Sequence, residues 1–256
     1  DVVSDYVSTR EDIQHFGLTS TTPQLPAATE IAHIIHDIRK DVRVILGGPH
    51  ITLVNAANKK ELIRGVDDRA SKSMRQAKET FDILVAGDGE KAIFEAIKNG
   101  APTMIDADEI SSPLFLESSE LVKLPFPARH LVDLESYHYS IDGVQALSLI
   151  AQLGCPFNCG FCGGRQSPML RRIRTRTPEN IVAEIEHLYL QTGKRGFMFY
   201  DDEFNLHPKR TAELCNALSK RNYSFRGFVK SDLLVKNPEI ASAMKTAGFV
   251  EVLSGI

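Results

Sequence analysis

Segments with strand character and segments with helix character alternate along most of this chain. In the first half, apolar runs at residues 15–21 and 42–48 flank residues 26–40, where isoleucines recur at helical spacing. A further apolar run at residues 81–87 precedes a helical segment that ends at Gly100. This alternation is typical of parallel sheets whose strands are joined by helices. It predicts an α/β fold with an open parallel sheet and a site at the strand ends.

The alternation resumes after a looser stretch. Residues 101–143 contain short acidic and proline-containing pieces without a sustained period, and we interpret them as an ordered connector. Four strand-like segments follow, separated by helical segments, at residues 145–154, 195–204, 224–232 and 249–256. Thr177 and Pro178 have the residue types of a helix N-cap and first helical position. Four such strands predict the beginning of a (β/α) TIM-type barrel. Because four strands cannot close a barrel, we expect this chain to be a piece of a longer protein that also lacks residues before Asp1.

The charge balance argues against a nucleic acid or an anionic membrane as the partner. The 256 residues include 30 basic and 33 acidic side chains, for a formal net charge of -3. No apolar run reaches the roughly 18 residues that span a bilayer, and the acidic start does not resemble a secretion signal. We expect a cytoplasmic protein.

Three of the four cysteines lie close together. Cys155, Cys159 and Cys162 fall within eight residues, directly after the first strand-like segment of the second half, whereas residues 1–154 contain no cysteine. This uneven spacing favours a metal site over a disulfide framework. Three thiolates suit a four-iron cluster with one iron left open, while closed zinc sites take four ligands. A zinc loop remains the alternative.

The CxxxCxxC spacing, with Phe161 before the last cysteine, resembles the radical S-adenosylmethionine (radical SAM) superfamily. The resemblance implies a [4Fe-4S] cluster whose open iron binds S-adenosylmethionine, cleavage to a 5'-deoxyadenosyl radical, and an electron donor such as flavodoxin or ferredoxin. Barrel strand ends are expected to contact S-adenosylmethionine in this family. By resemblance, Tyr200, Asp201 and Asp202 correspond to contacts with its amino group, and Lys230 and Ser254 to contacts with its ribose and carboxylate. Phe161, within the cysteine motif, is a further expected contact to the cofactor. The motif at residues 201–204 is DDEF rather than the commoner GGE, and Ser231 and Asp232 could equally begin a helix.

Two further features of the second half are a fourth cysteine and a run of arginines. Cys215 lies within a helical segment beside Leu214 and Leu218, so we predict that it packs as a small apolar residue. A basic run follows the cysteine loop at Arg165, Arg171, Arg172, Arg174 and Arg176. A phosphate-bearing substrate is one interpretation of this run, and a solvated loop beside an acidic helix is the favoured one.

Strand-end loops of the first half resemble the cobalamin-binding domain that precedes the barrel in one class of radical enzymes. The residues that carry the resemblance, and that it implies for cobalamin binding, are Ser20, Thr21, Thr22, Gly47, Gly48, Pro49, His50, Gly87, Asp88, Gly89 and Glu90. Glycines would let the backbone approach the corrin closely, and hydroxyls could bond the nucleotide tail. The DxHxxG motif of cobalt-ligating histidines is absent. Turns that simply join helices to a sheet are the alternative.

Other enzyme classes with a preceding α/β domain fit less well. No G-x-G-x-x-G opens a helix after a strand, which argues against a nicotinamide-binding domain. A second cluster, as in methylthiotransferases, is excluded because residues 1–154 lack cysteine. Residues 55–80 carry mixed charges that fit an exposed helix.

The resemblance therefore implies three parts. These are a Rossmann-like (flavodoxin-like) cobalamin-binding domain at residues 1–100, a connector at 101–143 and a truncated radical SAM barrel at 144–256. The implied activity is methylation of an unactivated carbon with cobalamin as methyl carrier. Radical cyclisation or rearrangement, and an inactive cofactor-binding fragment, are the alternatives. The sequence does not identify the substrate, which could be a small molecule or a peptide.

Overall fold

The computed structural model describes residues 2–255 and separates into two units. Unit 1 takes in residues up to 116 together with Phe157–Arg171, and unit 2 takes in Glu117–Pro156 and the residues from 172 onward. The boundary between the units therefore crosses the cysteine loop after Pro156. Each unit is described separately below.

The helices and strands follow the alternation expected from the sequence. The strands are β1 (His15–Thr19), β2 (Arg43–Gly47), β3 (Ile83–Gly87), β4 (Met104–Ala107), β5 (Ser140–Ile141), β6 (Val144–Leu149), β7 (Gln152–Leu153), β8 (Arg174–Thr175), β9 (Gly196–Phe199), β10 (Ser224–Phe228) and β11 (Phe249–Leu253). The helices are α1 (Val2–Thr9), α2 (Leu25–Ile38), α3 (Pro49–Arg64), α4 (Arg69–Thr80), α5 (Gly89–Ala96), α6 (Ser118–Leu121), α7 (Pro168–Arg171), α8 (Pro178–Thr192), α9 (Pro208–Leu218), α10 (Ser231–Lys236) and α11 (Pro238–Ala247).

Unit 1 is built on a parallel sheet in the order β1-β2-β3-β4. Successive strand residues point to opposite faces, and both faces are covered. Leu46 and Leu84 pack with apolar residues of α2, α3 and α4, whereas Ile45 and Val85 pack with Ala92 of α5 and its neighbours. Helices therefore cover both faces of a three-layer α/β unit.

The Rossmann-like, flavodoxin-like arrangement expected for this part is not confirmed. Its strands run in chain order, and the order does not reverse anywhere in the sheet formed by residues 15–107. Flavodoxin-like sheets reverse their strand order at the point where the ligand binds. The coarser expectation, a parallel α/β sheet with loops at its carboxyl edge, agrees with the structure.

The first sheet extends beyond the expected boundary at residue 100. Strand β4 at Met104–Ala107 pairs in parallel with β3, within the stretch interpreted as connector. Its four residues are too few to stand out as a period, so pairing with β3 defines the strand. The charged stretch at 55–80 likewise forms two helices, because Gly65 ends α3 in a left-handed conformation (φ 67°) before α4 begins.

Unit 2 contains the parallel strands predicted for a partial barrel. Strands β6, β9, β10 and β11 are neighbours in that order and pair in parallel, and β5 pairs antiparallel with β6 at the edge. Thr177 caps α8, its side chain accepting a hydrogen bond from the Asn180 N–H at 3.3 Å, as predicted.

An aromatic cluster fills the core of unit 2. Phe199 of β9 is fully buried, and its ring centroid lies 4.8 Å from that of Phe204 and 5.6 Å from those of Phe225 and Phe249. Cys215 of α9 belongs to the same core and is 1% exposed, which confirms its predicted packing role. Burial raises the pKa of its thiol to about 12. No helix among residues 2–255 is long and apolar enough to span a membrane.

Candidate cofactor site

The backbone that leads into the cysteine loop is fixed by several contacts in unit 2. Strand β7 pairs antiparallel with β8 just before Cys155. Gly154 has φ 87°, and a Cβ there would collide with the carbonyl oxygen of Arg172, so this position requires glycine. The Gly154 N–H donates to Asp202 Oδ2 at 3.1 Å. The residue before Cys155 therefore has a defined conformation.

The three clustered cysteines differ from Cys215 in their surroundings. Cys155 and Cys159 are half-buried and Cys162 is exposed, and none of the four cysteines is in a disulfide within residues 2–255. The Cys162 N–H donates to the Cys159 carbonyl at 3.1 Å, which closes a turn between these two cysteines. No three His, Cys, Asp or Glu side chains within residues 2–255 are already arranged to hold a metal ion. Three accessible thiols in one loop are nevertheless the donor set that fits an iron-sulfur cluster.

The first two carboxylates of the DDEF motif bind backbone in unit 2. Asp201 is 1% exposed, and its Oδ1 accepts from the Ala151 N–H at 2.7 Å. Burial raises the pKa of Asp201 to about 7. With Asp202 bound to Gly154, the two carboxylates join the end of β9 to the segment before the cysteines. Their predicted contact with an amino group stays a prediction.

Glu203 was outside the set of predicted contact residues, yet it shares one feature with Asp201. Glu203 Oε2 and Asp201 Oδ2 are both buried without a hydrogen-bond partner in the described part of the chain. Burial raises the pKa of the Glu203 carboxyl group, and the nearby Lys230 opposes this shift. Its place as the third residue of the motif, where GGE sequences carry glutamate, was the available signal. Tyr200, by contrast, is 64% exposed and packs edge-on against Phe228.

The ends of β10 and β11 bring several predicted residues together. Asn205 holds the Lys230 backbone from both sides, accepting from its N–H at 2.9 Å and donating to its carbonyl at 3.0 Å. Ser231 is the first residue of α10 and Lys230 occupies its N-cap position, so neither Ser231 nor Asp232 caps this helix. The Ser231 hydroxyl contacts that of Ser254. Lys230 Nζ lies 3.2 Å from Asp232 Oδ1. Phe161, from the cysteine loop, is 95% exposed.

Part of the arginine run is buried, contrary to the favoured interpretation. Arg174 is 1% exposed, and Arg176 donates to Glu184, which is itself 1% exposed, at 2.5 Å. Arg129 pairs with the same carboxylate at 2.7 Å. Glu184 faces inward from α8, so Arg129 and Arg176 neutralise a buried charge instead of facing solvent.

In unit 1, the predicted cobalamin residues lie at the carboxyl edge of the sheet. His50 is the second residue of α3, after β2. Its N–H donates to the Ser20 carbonyl at 2.9 Å, and its Nδ1 lies 3.1 Å from Thr22 Oγ1. Ser20 Oγ and His50 Nε2 are buried and lack hydrogen-bond partners within residues 2–255. Burial lowers the pKa of His50, which favours the neutral imidazole. Gly48 has φ 92°, and a Cβ there would collide with Thr19 Oγ1.

The loop after β3 is equally constrained. Gly87 has φ 91°, and a Cβ at this position would collide with the backbone at Ala107. Asp88 is buried and accepts from the Leu116 N–H at 2.9 Å. Other members of the predicted set are solvent-exposed, namely Thr21, Thr22, Pro49, Gly89 and Glu90. The predicted residues therefore divide into buried, structure-forming ones and exposed ones.

Comparison with known proteins agrees with this arrangement. Residues 149–256 match the model of the radical SAM superfamily. The chain is 28% identical over 248 residues to an uncharacterized methyltransferase of Pyrococcus horikoshii, covering 94% of this chain and 50% of that protein. It is 26% identical over 242 residues to an anaerobic magnesium-protoporphyrin IX monomethyl ester cyclase of Cereibacter sphaeroides, covering 86% and 37%. The chain thus spans half or less of the length of these relatives.

Solved structures share the fold. A radical S-adenosylmethionine methyltransferase, TsrM, from Kitasatospora setae, solved with cobalamin and a [4Fe-4S] cluster, superposes with a TM-score of 0.65 at 18% identity, over 99% of this chain and 51% of that one. The cobalamin-dependent S-adenosylmethionine radical enzyme OxsB superposes with a TM-score of 0.65 at 17% identity, over 100% and 36%. Residues 149–256 are therefore similar to the radical SAM superfamily, and the chain shares its fold with these two enzymes.

Proposed function

We propose that this chain is part of a radical SAM enzyme that holds a [4Fe-4S] cluster through Cys155, Cys159 and Cys162. The observation that carries the proposal is the three-cysteine loop, which follows the first parallel strand of a βα series matching the superfamily model. When bound, the cluster would supply the electron that cleaves S-adenosylmethionine to a 5'-deoxyadenosyl radical. The three thiols would bind iron, and Gly154 and Asp202 would orient the first of them.

Glu203 is the residue we assign to the amino group of S-adenosylmethionine. A buried carboxylate oxygen without a partner would gain a charge-assisted hydrogen bond from an ammonium group. Asp201 Oδ1 and Asp202 Oδ2 accept from backbone N–H groups, so both residues would support the loop. Asp201 Oδ2 is buried without a partner within residues 2–255, so Asp201 remains a second proposed contact to the amino group. Lys230 and Ser254, at neighbouring strand ends, remain the proposed contacts to the ribose and carboxylate.

Cobalamin is the second proposed cofactor, and it would act as methyl carrier. The support is the carboxyl edge of the unit 1 sheet, where Ser20 Oγ and His50 Nε2 are buried polar atoms that a polar ligand could satisfy. Two solved structures of similar fold are described as binding cobalamin or depending on it. We therefore propose methylation of an unactivated carbon, with a flavodoxin or ferredoxin as electron donor.

Radical cyclisation is the second candidate function. Two relatives at 26% and 25% identity are named as cyclases that act on magnesium-protoporphyrin IX monomethyl ester. Methyl-labelled S-adenosylmethionine separates the two functions. Methylation predicts label in the corrin fraction, whereas cyclisation predicts that the label stays with methionine.

Anaerobic reconstitution with iron and sulfide tests the cluster. We expect about four irons per chain and an electron paramagnetic resonance signal of the reduced protein that changes when S-adenosylmethionine is added. Cys159→Ala should lose the cluster, and the matched variant Cys215→Ala should retain it. Full iron content in Cys159→Ala would refute the ligand assignment.

Titration of the full chain with cobalamin, followed in the visible spectrum, tests the second cofactor. We expect saturable binding whose spectrum is the same in His50→Gln, because we propose binding without a histidine ligand to cobalt. A flat titration of folded protein would contradict cobalamin binding. A spectrum altered by His50→Gln would contradict the absence of histidine ligation.

A further inference from the structure

Asp108, at the end of β4, is a buried acid that the proposed chemistry does not use. It is 0% exposed, and its Oδ2 is buried with no hydrogen-bond partner in the chain from residue 2 to 255. Its Oδ1 accepts from the Ser167 hydroxyl and from the Met169 N–H, the latter at 3.1 Å. Burying a carboxylate is costly unless hydrogen bonds compensate for the lost water. The hydrogen bonds to Ser167 and Met169 indicate what this buried carboxylate does.

Both partners belong to the turn that begins α7, five residues and more beyond Cys162. Ser167 is 0% exposed, and its Oγ in turn accepts from the Leu170 N–H at 3.1 Å. The Asp108 carboxylate and the Ser167 hydroxyl thus bind the first N–H groups of α7. Helix α7 has four residues and could not persist by itself, so these bonds determine its position.

Helix α7 in turn contacts the cysteine loop. Arg171, its last residue, donates from Nη1 to the Phe157 carbonyl at 3.0 Å, two residues before Cys159. The chain from Phe157 to Arg171 is therefore a closed loop that contains Cys159 and Cys162. The same loop packs closely against α3 at Gly163, where an added Cβ would lie 3.3 Å from Leu53 Cδ1.

We infer that Asp108 and Arg171 are positioning residues that hold the cysteine loop in shape through α7, with Asp108 fixing the helix and Arg171 fixing the loop. The functional meaning of this inference rests on the proposed cluster, since the loop contains two of its proposed ligands. The ordering itself is a property of the polypeptide and is measurable in the cluster-free chain.

Alkylation of the cysteines in the cluster-free chain, mapped by mass spectrometry of peptides, tests the inference. Cys159 is half-buried and reports loop opening, exposed Cys162 is a reference for free access, and buried Cys215 reports unfolding of unit 2. In Asp108→Ala and in Arg171→Ala, the alkylation rate of Cys159 should be at least about fivefold higher than in the wild-type chain. The alkylation rate of Cys215 should not change. Asp108→Asn keeps an acceptor oxygen and should stay near the wild-type rate. Arg172→Ala, an exposed neighbour, is the matched control.

Equal Cys159 labelling in Arg171→Ala and Arg172→Ala would overturn the inference, even if Asp108→Ala fails to fold. The same variants are then reconstituted with iron and sulfide. Release of iron to a chelator should be faster in Asp108→Ala and Arg171→Ala than in Arg172→Ala. A wild-type chain that takes up no iron would refute the proposed function, while the labelling rates would still decide the roles of Asp108 and Arg171.

Discussion

Removing the carboxylate of Glu184 should destabilise unit 2 strongly. This side chain is 1% exposed, and it pairs with Arg129 and Arg176, whose side chains are 14% and 9% exposed. Glu184→Ala would leave two poorly solvated guanidinium groups without their shared partner. Breaking a buried ion pair in this way typically costs 3–5 kcal/mol. We expect about 3 kcal/mol, because backbone carbonyls at Ser148 and Ile150 still accept from the two arginines.

The assay must report on unit 2 alone, since the two units could unfold separately. The sequence has no tryptophan, and Cys215 lies in the unit 2 core, so its alkylation as a function of urea concentration serves as the probe. With a typical urea dependence of about 1–3 kcal/mol per molar, the midpoint should fall by about 1–3 M.

Glu186→Ala is the matched control on the same helix. Its carboxylate pairs with Arg221 at 2.6 Å but is 49% exposed, and exposed pairs contribute about 0–1 kcal/mol. Both substitutions replace Glu by Ala on the same helix and change helix propensity equally. The difference between their urea midpoints therefore reports the effect of burying the ion pair. A Glu184→Ala midpoint no lower than that of Glu186→Ala would refute the reasoning.

Three further outcomes are expected. Gly87→Ala should lower the unfolding free energy of unit 1 by about 2–4 kcal/mol, because φ is 91° and the added Cβ meets backbone at Ala107. Urea titrations followed by circular dichroism measure this change. Gly89→Ala is the control, because the space around Gly89 is open and the unfolding free energy should not change. Phe199→Ala should cost unit 2 about 3–5 kcal/mol by the Cys215 assay, and a smaller loss would contradict its central place in the aromatic core. Burial raises the pKa of Asp201 from 3.8 to about 7, so the folded state keeps a proton that the unfolded state releases. Stability of unit 2 should therefore fall as pH rises from 3.8 to about 7, and Asp201→Asn should remove this part of the pH dependence in urea midpoints measured across that range.

Local patterns were sufficient for most of the secondary structure and for the cysteine loop. The alternation of apolar runs and helical spacing predicted the parallel strands of both units except β4, and Thr177 correctly marked the start of α8. The spacing of the three cysteines predicted the resemblance to the radical SAM superfamily, whose model matches residues 149–256. These features depend on residues close together in sequence, which is why the sequence reveals them.

Contacts between distant segments were not predictable. Asp201 and Asp202 each accept from an N–H group about 50 residues earlier, which no local pattern indicated, and their contact with a ligand stays a prediction. The solvated interpretation of the arginine run was wrong for Arg174 and Arg176. Arg174 is buried, and Arg176 donates hydrogen bonds to Asn180 and Glu184 of α8, which depends on how the chain packs.

By itself, the sequence determined most of the strands and helices and the position of the three-cysteine loop, because side-chain periodicity and cysteine spacing are local properties. Tertiary structure alone decided which carboxylates are buried and what they bind. Asp108 joins β4 to the turn at Ser167, 59 residues later in the chain, and no local pattern encodes that pairing. The physical reason is that burial and hydrogen-bond partners are properties of the packed chain, whereas periodicity is a property of each segment.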